Sequence, residues 1–150
     1  MEQRRLKVLI DTNVLLDVIC PDERPSSGAS ATIFKAIKEG FLEGELSTQS
    51  IIDAAYIASQ TEGRMVEGFR SKILELSTFV NIDSMDFPSV MQAVKNCTGD
   101  FEDDAQFAFA YYTGCDIVLT GDKDFHARCG SKSPHIRFFS PKDFLAQLTS

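Results

Sequence analysis

Nowhere in these 150 residues does an apolar run approach the ~18 needed for a bilayer-spanning helix. The run Val8-Leu9-Ile10 stops at Asp11, so the basic start at Arg4, Arg5 and Lys7 does not continue into a secretory leader. The expectation is a cytoplasmic chain that makes no membrane contact. Cysteine is sparse and scattered. Cys20, Cys97, Cys115 and Cys129 form no C-x-x-C pair, which argues for reduced thiols and against a disulfide framework. A zinc site drawn from Cys115, His126, Cys129 and His135 matches no finger spacing. Positive charge is in short supply: 15 Lys and Arg stand against 22 Asp and Glu, a net charge of −7. That balance excludes a protein that coats nucleic acid by charge alone.

What is present is the composition of an ordinary folded domain. The hydrophobic fraction of 43% and charged fraction of 25% exclude general disorder. A domain of this length buries roughly 68–70% of its unfolded surface, enough for a core without staples. One domain over residues 1–150 is expected, with no repeat and no linker. The acidity is uneven. Residues 1–119 hold 10 Lys and Arg against 19 Asp and Glu, whereas residues 120–150 hold 5 against 3. Most of these acids read as solvated surface, but a surplus of aspartate is also what a hard metal site requires.

Periodicity divides the chain into alternating strands and helices. Lys7–Ile10 reads as a buried strand, followed by a helix carrying Val14, Leu15, Val18 and Ile19. Pro21 through Gly28 reads as a loop, with Ser30 capping a helix through Ile33, Phe34 and Ile37. A short extended piece at Glu45–Ser47 leads to a helix over 50–59, and a further helix is predicted over 65–76. Thr78–Ile82 alternates like a strand, and Pro88 suits the first turn of the next helix. A helix is predicted from Phe101 to Tyr112, strands at Cys115–Leu119 and Ile136–Phe139, and a last helix opened by Ser140-Pro141. The alternation indicates an α/β layer fold with a mostly parallel sheet.

In such sheets ligands bind beyond the carboxyl ends of the strands. Two strands run directly into aspartates there: Val8-Leu9-Ile10-Asp11 and Ile117-Val118-Leu119-Thr120-Gly121-Asp122. If those strands are neighbours, Asp11 and Asp122 converge on one edge and offer oxygen ligands to a divalent cation. The plainer reading makes Asp11 a helix cap and places Asp122 in a turn. Asp53 lies three after Ser50, and Asp103 three after Asp100, spacings that also fit capping boxes. The stretch Asp100-Phe101-Glu102-Asp103-Asp104 carries four acids in five residues, more than a helix start needs. Asp104 rivals Asp103 as the inward residue, because neighbours on a helix face about 100° apart.

Leu9-Ile10-Asp11-Thr12-Asn13-Val14-Leu15-Leu16-Asp17 resembles the opening motif of PIN domains. Asp100-Phe101-Glu102-Asp103 followed by Ala108 and Ala110 resembles their third acidic motif, Asp116 through Phe125 the fourth, and Ser140-Pro141 with Phe144-Leu145 the usual ending. The resemblance implies a three-layer α/β/α PIN-like fold with a central mostly parallel sheet, and Mg2+- or Mn2+-dependent cleavage of RNA without a histidine base. Carried over motif by motif, it implies Asp11, Asp53, Asp103 and Asp122 as catalytic residues, with Asp11, Asp103 and Asp122 as metal ligands. Many members have Glu in the second position, where this chain has the shorter Asp53. Asp17 is expected to flank the site, Asp124 to face away from it, and Thr12, Asn13 and Thr120 to orient it. Lys123, Arg128, Lys132 and Arg137 stand as contacts for an RNA backbone, against the plainer reading of a solvated basic tail. VapC-type toxins also look like this, which implies an antitoxin protein or a homodimer as partner. A partner surface is expected from Phe34, Ile37, Phe41, Tyr56 and Phe69, which exceed what one small core needs.

Two other classes compete. A non-catalytic PIN scaffold that binds RNA or protein would tolerate Asp53 in place of Glu. A phosphotransfer domain fits poorly. The dehalogenase-type pattern needs Asp-x-Asp where this chain has Asn13, and a receiver domain needs an acidic pair that is not placed here.

Overall fold

A computed structural model describes residues 3–22, 24–62 and 68–150. In chain order the elements are β1 (Lys7–Ile10), α1 (Thr12–Ile19), α2 (Ser27–Lys38), β2 (Glu43–Ser47), α3 (Thr48–Glu62), α4 (Phe69–Leu76) and β3 (Asn81–Asp83). Then follow α5 (Phe87–Lys95), α6 (Phe101–Tyr112), β4 (Ile117–Leu119), α7 (Lys123–Cys129), β5 (Arg137–Phe139) and α8 (Pro141–Thr149). The five strands form one sheet in the order β3-β2-β1-β4-β5, and every pairing is parallel. The all-parallel sheet follows from the alternation, since parallel neighbours need crossover connections and the intervening helices supply them.

Side-chain alternation along β1 sorts the core into two layers. Val8 and Ile10 face a cluster with Leu46, Ile117 and Leu119, covered by Val14 and Leu15 of α1, Ile33 and Phe34 of α2, Ala54 of α3 and Phe144 of α8. Leu9 faces the other side, against Val118, Phe138, Phe109 of α6 and Phe125 of α7. The fold is therefore helix, sheet, helix. Each fully buried large apolar side chain contributes roughly 1.5–3 kcal/mol, so the near-continuous apolar runs of β1 and β4 fix these strands at the centre.

Several boundaries differ from those predicted. The helix expected to start at Ser30 begins at Ser27; Ser30 lies inside it and donates a 2.6 Å hydrogen bond to Asp17. The helix over 65–76 is observed from Phe69, its earlier part lying outside the described residues. The strand predicted at Thr78–Ile82 forms only at Asn81–Asp83, because Phe79 and Val80 still donate their amides to Leu76 and close the end of α4. Asp122 opens a helix, α7, that periodicity missed. Ser50 does not pair with Asp53 in a cap. Ser47 accepts the Ser50 amide at 3.1 Å, and Asp53 sits a turn further into α3. Of the apolar residues expected at the surface, Phe34, Ile37 and Phe69 are core, while Phe41 and Tyr56 are exposed. Gly114, at φ 73°, ends α6 in a left-handed turn that returns the chain to β4.

Candidate metal centre at the sheet edge

Because β1 and β4 are hydrogen-bonded neighbours, their carboxyl ends lie side by side. The Asp11 amide donates to Leu119 O at 3.1 Å, so the chain leaving β1 is tied to the end of β4. Asp11 is buried and caps α1. One carboxylate oxygen accepts from the Thr12 amide at 2.9 Å and Gln106 Nε2 at 3.2 Å. The other accepts from Thr120 Oγ1 at 2.7 Å and Asn13 Nδ2 at 2.9 Å. Burial nevertheless pushes its pKa above the ordinary value, outweighing the four donors.

Asp122 is joined to Asp11 through one side chain: the Thr120 hydroxyl that donates to Asp11 accepts the Asp122 amide at 3.0 Å. Asp122 itself caps α7, accepting from Asp124 N at 2.9 Å and Phe125 N at 3.3 Å. Asn13 Oδ1 takes the Gly121 amide at 2.8 Å, and a Cβ on Gly121 would stand 3.2 Å from that oxygen, so a larger residue would strain the turn. Both aspartates thus cap helices, and the Thr120 hydroxyl links them at the sheet edge.

Helix α6 brings the third motif to the same edge. Asp100 caps it, accepting the Asp103 amide at 3.0 Å. Asp103 is buried and paired with Arg128 of α7. Burial pushes its pKa up to about 6; the Arg128 hydrogen bond opposes this, and the charges of Asp100 and Asp122 add to it. Asp104 turns the other way, accepting from Thr98 N at 2.7 Å, Thr98 Oγ1 at 2.9 Å and Lys132 Nζ at 2.7 Å. Burial works against it, but those partners hold its pKa low. Of the two rivals, Asp103 is the one that feels Asp122.

Asp53 stands on α3, half-buried, and accepts from Gln49 Nε2 at 2.9 Å. It shares a cleft of about 310 Å3 with Glu102 and Gln106. Glu102 and Gln106 were not singled out from the sequence. Desolvation, then the charges of Asp53, Asp11, Asp100 and Asp103, raise the Glu102 pKa. Gln106 bridges Asp11 and Ser50, donating to Ser50 Oγ at 2.9 Å. The signal was available: Gln106 falls three after Asp103 and four after Glu102, on one helical stripe. Asp17 is buried beside this centre, bound by Arg24 Nε at 2.8 Å and by Ser30. It lines a cavity of about 500 Å3 together with Asn13 and Asp122. Thr12 bonds Ser50 at 3.1 Å. Asp124 is exposed, and Phe125 fills the core. Of the four basic residues considered for RNA contact, Arg128 and Lys132 are engaged by acids, Arg137 lies over the Phe139 ring, and Lys123 is exposed.

The donor set is all oxygen and strongly negative, with mutual repulsion that a hard divalent cation would relieve, so its chemistry fits such an ion. Among the described residues, no three His, Cys, Asp or Glu side chains already converge as a ready-made shell. Amide, hydroxyl and guanidinium partners hold the carboxylates instead.

The family profile described as the PIN domain matches residues 7–124, and the chain belongs to that family. Its fold is that of VapC-type structures. VapC20 of Mycobacterium tuberculosis, a sarcin–ricin loop cleaving toxin, superposes with a TM-score of 0.64 at 16% identity over 80% of this chain and 93% of that one. VapBC2 of Rickettsia felis, bound to a DNA fragment from its promoter, gives 0.61 at 12% identity over 90% and 98%. FitAcB of Neisseria gonorrhoeae gives 0.61 at 16% identity over 90% and 98%. No curated protein matches the chain in sequence. Among the described residues, no helix is long and apolar enough to cross a membrane.

Proposed function

We propose that the chain is a Mg2+- or Mn2+-dependent endoribonuclease acting through Asp11, Asp53, Asp103 and Asp122, and that it is the toxin of a toxin–antitoxin pair. The observation that carries this reading is the Thr120 hydroxyl between Asp11 and Asp122, at the shared carboxyl end of two paired strands. Asp11, Asp103 and Asp122 would hold the ion, with Asp53 and Glu102 extending the negative field on the α3 side. The ion would supply a nucleophilic water at neutral pH and polarise the scissile phosphodiester. The protein's own part is to keep Asp11 oriented by Thr120, Asn13 and Gln106, to bury it from bulk water, and to hold α6 against α7. The toxin reading is supported by the likeness in fold to the toxin VapC20 and to a toxin–antitoxin complex of Klebsiella pneumoniae, which gives a TM-score of 0.59 at 16% identity over 89% of this chain and 97% of that one. Exposed Ile52 and Tyr56 on α3 are surface for an antitoxin or a second copy.

Single-stranded RNA incubated with the protein and Mg2+ or Mn2+ should be cut, and EDTA should stop the reaction. Asp11→Asn should lose at least about 100-fold, because a neutral amide is a poor metal ligand. Cleavage that persists in EDTA, or in Asp11→Asn, refutes the assignment. One observation favours a second reading, a PIN scaffold that binds RNA or protein without cutting: Arg128 already sits on Asp103. RNA binding without cleavage at saturating metal would select it.

A further inference from the structure

On the far side of α6 from the acidic centre lies a groove of about 840 Å3 between α5, α6 and the turn that follows α7. Its lining is unlike the rest of the chain. In a protein of net charge −7, Lys95 and Lys132 border it against a single carboxylate, Asp104, which Lys132 and Thr98 already hold. Rings make up the opposite element of the surface. Tyr111 and Tyr112 are 61% and 50% exposed, set edge to face at 5.7 Å, and packed into neither core cluster. Phe107 stacks on Phe138 at 6.3 Å and carries the Lys132 ammonium 5.4 Å from its centroid. Exposed rings beside cations, along an open groove, are the arrangement that single-stranded nucleic acid uses, with bases on the rings and phosphates on the cations.

The groove is also in the right place. Its lining reaches Asp104, the residue after Asp103 of the proposed centre on α6, so the groove and the centre share one helix. From Asp104 to Tyr111, α6 rises roughly 10 Å at 1.5 Å per residue, room for about three stacked nucleotides. We propose that this groove holds the single-stranded RNA flanking the scissile bond, with bases against Tyr111 and Tyr112 and backbone against Lys95, beside the Lys132 that Asp104 holds. The proposal rests on the ribonuclease reading and gives that reading its substrate path.

The test uses the full chain carrying Asp11→Asn, to prevent turnover, and a fluorescent single-stranded RNA containing thiouridine. Irradiation should crosslink the RNA to Tyr111 or Tyr112. Replacing both tyrosines by Ala should weaken binding by about tenfold or more, since each stacked base contributes roughly 5- to 100-fold. Tyr111→Phe should retain it. Lys95→Glu, an exposed change that leaves the fold alone, should weaken binding and flatten its salt dependence. Unchanged affinity in the tyrosine pair and in Lys95→Glu, or crosslinks confined to other elements, overturns the groove. Protection of this face by a bound protein, with RNA affinity unaltered, also overturns it and assigns the surface to a protein partner. Cleavage by the unmutated chain separates the two failures. If RNA is cut while the groove variants bind normally, only the groove falls; if RNA is neither bound nor cut, both readings fall.

Discussion

Arg128 of α7 lies on the carboxylate of Asp103 of α6, and its Nη2 also stands 3.4 Å from Asp100. A guanidinium therefore already neutralises part of the acidic field in which the proposed cation would bind. Removing it should tighten metal binding. In calorimetric titrations of the otherwise unmodified chain, Arg128→Gln should bind Mn2+ roughly tenfold more tightly, the order expected for one nearby charge at a partly solvated site. Equal affinities would show that the arginine and the metal do not compete.

Burial, with the like charges of Asp100 and Asp122 beside it, pushes the Asp103 pKa up to about 6 against the pull of Arg128, so its ionised form is costlier here than in water. Asp103→Asn should therefore raise the melting temperature in EDTA, by about 2–4 °C for each kcal/mol relieved. In excess Mn2+ the order should reverse, because only the unmodified chain gains the full free energy of binding. Since Asp100 is the cap of α6, the substitution does not remove a cap. A variant destabilised equally with and without metal would show that Asp103 is purely structural.

Glu45 offers a pH signature away from the centre. It is fully buried in β2, and burial followed by the Asp83 carboxyl pushes its pKa up to about 8, against the pull of Lys7 Nζ at 3.3 Å. The unfolded chain releases this proton near the ordinary 4.5 and the folded chain only near 8, so between those values the folded state binds more protons. Stability from this group is thus greatest in acid and falls as pH rises through that window. Glu45→Gln should flatten this fall and melt roughly 3–6 °C above the unmodified protein at pH 8.5, with little difference at pH 4.5. Parallel melting curves across that range would contradict the assignment.

Thr120 is the hinge of the proposed centre through one hydroxyl. Thr120→Val keeps the shape and removes the donor to Asp11 and the acceptor for the Asp122 amide. The loss should cost about 1.5–3 kcal/mol in stability, as for hydrogen bonds to charged groups. Mn2+ affinity should drop about 10- to 100-fold, as when partners of metal ligands are removed. Thr120→Ser should restore affinity; a Val variant with unchanged Mn2+ affinity would sink the idea that this hydroxyl positions the carboxylate.

The chain's own pattern determined the framework. Val8-Leu9-Ile10 and Ile117-Val118-Leu119 are apolar on both faces, a property only a central strand satisfies, and each is followed by polar residues that must leave the sheet at its carboxyl end. That placed Asp11 and Asp122 at the carboxyl ends of their strands, and the order of acidic motifs pointed to the PIN family; the pairing of β1 with β4 brought the two ends together. The tertiary structure decided what local pattern leaves open. Asp103 and Asp104 are chemically identical neighbours, and Arg128 and Lys132, 25 and 28 residues further on, distinguish them. Ser30 looked like a cap because it follows a stretch rich in Pro, Ser and charge; its partner proved to be Asp17, brought close when α1 packed on α2. Helix α7 was invisible because its seven residues bury only Phe125 and Cys129, too few for an apolar stripe, and its start depends on the Asp122 cap. Gln106 and Glu102 gain their place only when α6 docks beside β1 and α3. A sequence records which groups a chain owns and how they repeat; which carboxylate meets which cation depends on contacts between distant segments, and those exist only once the core has closed.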